Sequence, residues 1–144
     1  MSSENQSQSI IWQLKNLTLS LNKSLDQLLQ QEGLTLSQAR VLLLLFSENG
    51  QNQSSLMKQL QIESSSMTKI IDLLERKNFI VRKDNPRDAR RKNIFLTKQG
   101  QHKEQAIHQL LQQFEATLLA ALSASETQQL QRLLQKFSPK SIND

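Results

Sequence analysis

The sequence predicts a mainly α-helical chain with one small β-hairpin, and three observations carry that expectation. Gly (3) and Pro (2) are scarce among the 144 residues, which favours long uninterrupted helices. Apolar residues recur at helical spacing towards both ends of the chain. Between those ends lies the run 82–92, in which six of eleven residues are Lys or Arg and a turn signal sits in the middle. Phe79-Ile80-Val81 before it and Ile94-Phe95-Leu96 after it are strand-like, so the run reads as the cationic tip of a hairpin.

The elements follow in order. Residues 1–9 are polar and Ser/Gln-rich and predict a frayed start. From Ile10 to Leu29, apolar residues at 10, 14, 17, 21, 25 and 28 mark a helix. A second stripe with Trp12, Leu19 and Leu29 makes it apolar on more than one side, where a monomer's surface helix needs one face. Gly33 ends this helix, and Thr35 or Ser37 caps the next. That next helix is central and buried, carries Val41-Leu42-Leu43-Leu44-Leu45-Phe46, and ends near Asn49-Gly50.

A short helix over about Gln53–Leu60 turns Leu56, Met57 and Leu60 inward. The tight link Gln61-Ile62 leads to a helix over about Ser64–Asn78 with Met67, Ile70, Ile71 and Leu74 on one face. Two short helices with a tight link form a helix-turn-helix. The hairpin follows over roughly 79–97, as a wing. Thr97 caps a helix from Lys98 to about Leu122, and Ser123 or Ser125 restarts a last one that Ser138-Pro139 stops. The whole is a winged helix-turn-helix core flanked by N- and C-terminal dimerisation helices: 1–33 for the N-terminal dimerisation helix, 34–98 for the DNA-binding domain, 99–144 for the C-terminal dimerisation helices. Terminal helices this apolar predict an antiparallel bundle with a second copy of the chain.

Charge placement narrows the function. Residues 63–100 carry ten Lys/Arg against five Asp/Glu, while the remainder has eight of each, so the whole net charge of +5 sits in about a quarter of the chain. Such segregation suits a surface that faces a polyanion. There are no cysteines, which excludes disulfides and thiolate zinc sites. No apolar run reaches membrane-span length, and the opening Met1–Gln6 lacks the regions of a signal peptide. The expectation is a cytoplasmic protein without membrane contact.

On the second helix of the helix-turn-helix, the residues left over by the core face are Ser64, Ser65, Ser66, Thr68, Lys69 and Asp72. The first turns of such a helix enter the major groove. Hydroxyls there can donate or accept at base edges, and Lys69 can reach a guanine or a phosphate. Ser64–Ser66 could instead serve as helix caps. On the wing, Arg87 and Arg90 lie at or near the tip, with Arg91 and Lys92 on the return strand. A narrow A·T-rich minor groove attracts an inserted Arg. Asp84 and Asp88 organise the wing, through turn hydrogen bonds or by holding an Arg.

These residues resemble the MarR family of bacterial transcription regulators. The family's wing runs roughly Asp-x-x-Asp-x-Arg, an apolar strand, then Leu-Thr-x-x-Gly. Here it is Asp84-Asn85-Pro86-Arg87-Asp88-Ala89-Arg90, then Ile94-Phe95-Leu96-Thr97-Lys98-Gln99-Gly100. Ser66-Met67-Thr68-Lys69-Ile70-Ile71-Asp72-Leu73-Leu74-Glu75 matches the recognition-helix pattern, and Leu36-Ser37-Gln38-Ala39-Arg40-Val41-Leu42 resembles the stretch that enters the central helix. Asn78 stands where Gly is usual, Glu63 where Ser or Thr often caps, and Ser64 where a basic residue is frequent. The resemblance implies a homodimer on an inverted repeat of double-stranded DNA. Ser65, Ser66, Thr68 and Lys69 would then lie in the major groove and Arg90 in the minor groove. It further implies a repressor released by a small-molecule effector bound between the lobes. The mixed apolar and polar surroundings near Trp12, Leu17, Leu21, Arg40 and Phe46 could line such a pocket, although core packing is the commoner use for the apolar ones. Cysteine-based oxidant sensing is excluded.

Two rival readings of the sequence exist. For an enzyme, His102 and His108 stand six apart, about 240° around a helix, and share no face. Glu104 and His108 do share one and form half a metal site at most. No phosphate loop or nucleophile motif is present, so neither catalysis nor a cofactor is expected. A winged helix used for protein docking or RNA binding is the other rival. The basic wing suits duplex DNA better, because a duplex demands dense phosphate neutralisation.

Overall fold

The computed structural model describes residues 9–137. The expected frayed start, apart from Ser9, and the Ser138-Pro139 stop lie outside the described residues. Helices dominate: α1 (Ile10–Leu29), α2 (Leu36–Ser47), α3 (Gln53–Leu60), α4 (Ser64–Arg76), α5 (Lys98–Gln101), α6 (Lys103–Leu119) and α7 (Ala124–Gln135). A three-stranded antiparallel sheet, ordered β1-β3-β2, comprises β1 (Gln51–Asn52), β2 (Ile80–Asn85) and β3 (Asp88–Leu96). The chain divides into two compact units between Leu110 and Leu111.

The first unit holds the core. Leu29 of α1, Val41, Leu42 and Leu45 of α2, Leu56 of α3, Met67, Ile71 and Leu74 of α4, Ile80, Ile94 and Ile107 are all fully buried. Each such aliphatic contributes about 1.5–3 kcal/mol on burial. Met57 and Ile70, expected inward, stay half-buried at the edge of this core.

Local signals fix the helix ends. Gly33 adopts φ +69° after a 3-10 turn, and Leu34 N–H then reaches the Leu29 carbonyl at 3.2 Å. Thr35, rather than Ser37, caps α2 through a capping box with Gln38. Asp26 of α1 adds a bond from Leu36 N–H at 2.8 Å. Gln61 takes φ +54° in the helix-turn-helix link, so that Ile62 N–H closes back on the Met57 carbonyl at 3.1 Å.

Four features depart from the expected elements. The central helix ends at Ser47, because the Gln51 side chain donates to the Leu44 and Glu48 carbonyls and turns the chain there. Helix α4 stops at Arg76, and Asn78 at φ +63° starts the hairpin. Gln51 and Asn52 form a third strand against Ile94 and Asn93, which no periodicity over two residues could announce. The single helix expected over 98–122 is a short α5, a break at His102, and α6 ending at Leu119.

The sequence Leu96-Thr97-Lys98-Gln99-Gly100 has a steric reason. Thr97 caps α5 by accepting from Gly100 N–H at 3.0 Å, and its own N–H donates to the Phe79 carbonyl at 3.0 Å. A Cβ on Gly100 would stand 2.0 Å from that same carbonyl oxygen. Only glycine allows α5 to lie this close to the start of the hairpin.

In the second unit, Ser123 rather than Ser125 caps α7 in a capping box with Glu126. The Ser123 backbone N–H and hydroxyl hold the Glu126 carboxyl below the usual carboxylate range. Leu118, Leu130, Leu133, Leu134 and Phe137 of this unit are exposed. In the first unit, Ile10, Ile11, Trp12, Leu14, Leu17 and Leu19 of α1 are exposed likewise.

Candidate nucleic-acid interface

The second helix of the helix-turn-helix is α4, and its first two turns carry Ser64, Ser65, Ser66, Thr68 and Lys69, all exposed. Glu63 occupies the cap position without a side-chain cap bond. The three serines therefore do not cap, and their hydroxyls have no hydrogen-bond partner among the described residues. Lys69 forms no ion pair among the described residues. Thr68 differs: its hydroxyl donates to the Ser64 carbonyl at 2.9 Å and accepts from Gln53 Nε2 at 3.0 Å.

The wing is shaped by polar side chains. Asn85 pairs with Asp88 around the two-residue turn Pro86-Arg87, and Asn85 Oδ1 accepts from Arg87 N–H at 2.9 Å. Neither turn residue has positive φ, so the turn is not one of the primed types that match strand twist. The mismatch is absorbed next to it. Register runs evenly from Ile80↔Leu96 to Asp84↔Lys92, then jumps to Asn85↔Asp88. Ala89, Arg90 and Arg91 are thus three extra residues of β3 that bulge out of the ladder. Asp88 Oδ1 holds this bulge through Arg90 N–H at 3.0 Å. Asp84 pairs with Lys92 across the strands.

The six cations of the run 82–92 are not equivalent. Arg82 is engaged by Asp72 and, at 3.1 Å, by Glu75, which ties β2 to α4. Lys92 is engaged by Asp84. Lys83 lies 5.2 Å over the Phe95 ring. Arg91 stands 4.0 Å from Asp88, a loose and exposed pair. The guanidinium groups of Arg87 and Arg90 have no partner among the described residues. Asp72, counted among the leftover residues of the recognition helix, is thereby tied to the wing.

These parts adjoin one another. Arg90, Arg91 and Lys92 line a cleft of about 250 Å³ together with Asn52, Gln53 and Ser54 at the start of α3. Gln53 in turn bonds Thr68 on α4. The bulge of the wing, the start of α3 and the first turns of α4 therefore form one continuous polar and cationic surface. Sequence reasoning missed Gln53 and Arg82 as members of this arrangement. Gln53 had no charge or motif to mark it, and the partners of Arg82 lie seven and ten residues away on another element.

The residues expected near an effector are spread along the first unit. Trp12 and Leu17 are exposed on α1, Leu21 is half-buried, and Arg40 is exposed on α2. Phe46 is half-buried with its ring centroid 6.1 Å from that of His108. His108 Nε2 stands 3.9 Å from Glu104 Oε1, and no third ligand-type side chain joins them among the described residues.

Comparison with known proteins agrees with this geometry. The family model described as MarR family matches residues 34–92. The uncharacterized HTH-type transcriptional regulator YdgJ of Bacillus subtilis (strain 168) is 31% identical over 94 residues, 65% of this chain and 57% of YdgJ. The chain thus spans little more than half of that relative's length. YkoM of the same organism, also an uncharacterized HTH-type transcriptional regulator, is 31% identical over 107 residues, 74% of this chain and 70% of YkoM. Among solved structures, the S. aureus MepR-DNA complex matches with a TM-score of 0.80 and 29% identity, covering 89% of this chain and 94% of that one.

Proposed function

The chain belongs to the MarR family, and from that premise we propose that it is a sequence-specific double-stranded DNA-binding transcription regulator. It acts as a homodimer, as a repressor released by a small-molecule effector. One observation carries the reading: Arg90 and Arg91 of the wing line a cleft with Gln53, which is bonded to Thr68 on α4, beside exposed side chains of α4 and the wing that have no partner among the described residues. Groups without internal partners on a helix-turn-helix and its wing are what an external polyanion would satisfy. MepR, a relative of matching fold, has been crystallised with DNA.

Within this reading, Ser64, Ser65, Ser66, Thr68 and Lys69 face the major groove. Arg87 and Arg90 enter the flanking minor groove, Arg91 holds a phosphate, and Lys92 reaches one only by leaving Asp84. The exposed leucines of α1 and of the second unit bury against a second copy, so the two-fold axis of the protein matches an inverted repeat. The half-sites then lie about one helical turn apart. A small molecule near Trp12, Leu17, Leu21, Arg40 and Phe46 would act by changing the spacing of the two recognition helices.

Footprinting on the DNA upstream of its own gene tests this. Protection of an inverted repeat, relieved by a screened small molecule, is the expected result. Absence of duplex binding to any promoter fragment even at low salt would overturn it, and binding of RNA alone would favour the RNA-module reading.

A further inference from the structure

We propose that Gln53 presets Thr68 to read the major groove as a hydrogen-bond acceptor with a methyl group, so that an A·T pair faces it in each half-site. The inference rests on the DNA-binding reading above and concerns one pair of residues within it.

A hydroxyl has one hydrogen to donate and two lone pairs to offer. The Ser64 carbonyl can only accept, so the Thr68 hydrogen is directed at it, at 2.9 Å. Gln53 Nε2 can only donate, so one Thr68 lone pair is engaged at 3.0 Å. What remains for an outside partner is a single lone pair and the Cγ2 methyl. The bond to Ser64 alone is a habit of helical threonines, and a helical Thr still divides between two χ1 rotamers. The second bond comes from a different helix, and with both in place the hydroxyl has one orientation.

Thr68 sits in the second turn of α4 and is exposed, whereas Gln53 opens α3 and is half-buried. The base edges differ in what they offer to such a side chain. Guanine presents only acceptors, N7 and O6, in the major groove and gives it nothing. Cytosine offers its N4 amino donor without a methyl group. An A·T pair offers the adenine N6 amino donor and the thymine methyl, and so matches both free groups. Gln53 need not touch DNA for this; it acts as a positioning residue.

Selection from a randomised duplex library tests the proposal, with wild type, Thr68→Ser and Gln53→Ala run in parallel. Both sites are surface positions, and circular dichroism confirms the fold of each variant. Wild type should select an A·T pair at one position per half-site by about fourfold over G·C, the size of one buried methyl contact, because a G·C pair still offers the cytosine amino donor. Thr68→Ser keeps both internal bonds but lacks the methyl, and should admit cytosine at that position. Gln53→Ala frees the hydroxyl to donate, and should admit guanine at the same position with the rest of the selected site unchanged.

Selection of guanine opposite Thr68 by wild type would overturn the proposal. So would a Gln53→Ala protein that selects the wild-type base there, or a Thr68→Ser protein that alters no position. These results leave DNA binding itself intact. Selection of no sequence at all by wild type would instead overturn the DNA-binding reading, and this proposal with it.

Discussion

Replacing Gly100 with alanine should destabilise the protein although alanine is the better helix former. The new Cβ would stand 2.0 Å from the Phe79 carbonyl oxygen and 3.0 Å from its carbon, where ordinary contact begins at 3.4 Å. The two backbones must separate by about 1.4 Å, the difference between 3.4 and 2.0 Å. Neither can give easily. The Phe79 carbonyl also accepts from Thr97 N–H, and Phe79 N–H donates to the Leu74 carbonyl at the end of α4. Overpacking of this kind costs about 1–3 kcal/mol, and loss of the Thr97 bond adds about 1 kcal/mol. Alanine's helix propensity offsets about 1 kcal/mol. The net is a loss of about 2 kcal/mol. For a chain of this size that lowers Tm by about 4–8 °C. Urea unfolding followed by circular dichroism measures it. A variant as stable as wild type or more so would show that α5 does not need this close approach.

Further outcomes concern the wing and the terminal helices. Arg90→Ala should weaken duplex binding by about 1–3 kcal/mol, the range for a specific contact, and unchanged affinity would remove Arg90 from the groove. Arg82→Met should leave Asp72 and Glu75 without their cation and cost about 1 kcal/mol of stability, kept small because those carboxylates are nearly half exposed. A drop in the salt slope of DNA binding instead would mean that Arg82 faces phosphate. Leu134→Glu alters a side chain that is 51% exposed in the single chain, so helicity should persist while sedimentation shows monomers. A dimer of unchanged strength would place the interface elsewhere.

The long elements were legible because apolar residues repeat along them at helical spacing. Helix α1 spans the residues its periodicity marks, and α3 does so on both ends. Capping chemistry is equally local, and both Thr35 and Thr97 could be found by inspection. What escaped depends on partners distant in sequence. Strand β1 is two residues long and exists because Ile94 and Asn93 lie beside it. The bulge at Ala89–Arg91 follows from a turn whose twist does not fit the ladder. The charge run showed its size but not its division into paired and free members. Arg82 and Lys92 are bound within the chain, and Arg87 and Arg90 are left to act outward.

On the reading proposed above, this surface neutralises DNA phosphates. Affinity for a duplex carrying the inverted repeat, measured against salt concentration for wild type and Arg91→Ala, tests it most directly. Wild type should give a straight line of steeply negative slope on logarithmic axes, shallower by about one in the variant. A wild-type affinity that does not change with salt, or a slope that Arg91→Ala leaves untouched, would contradict it.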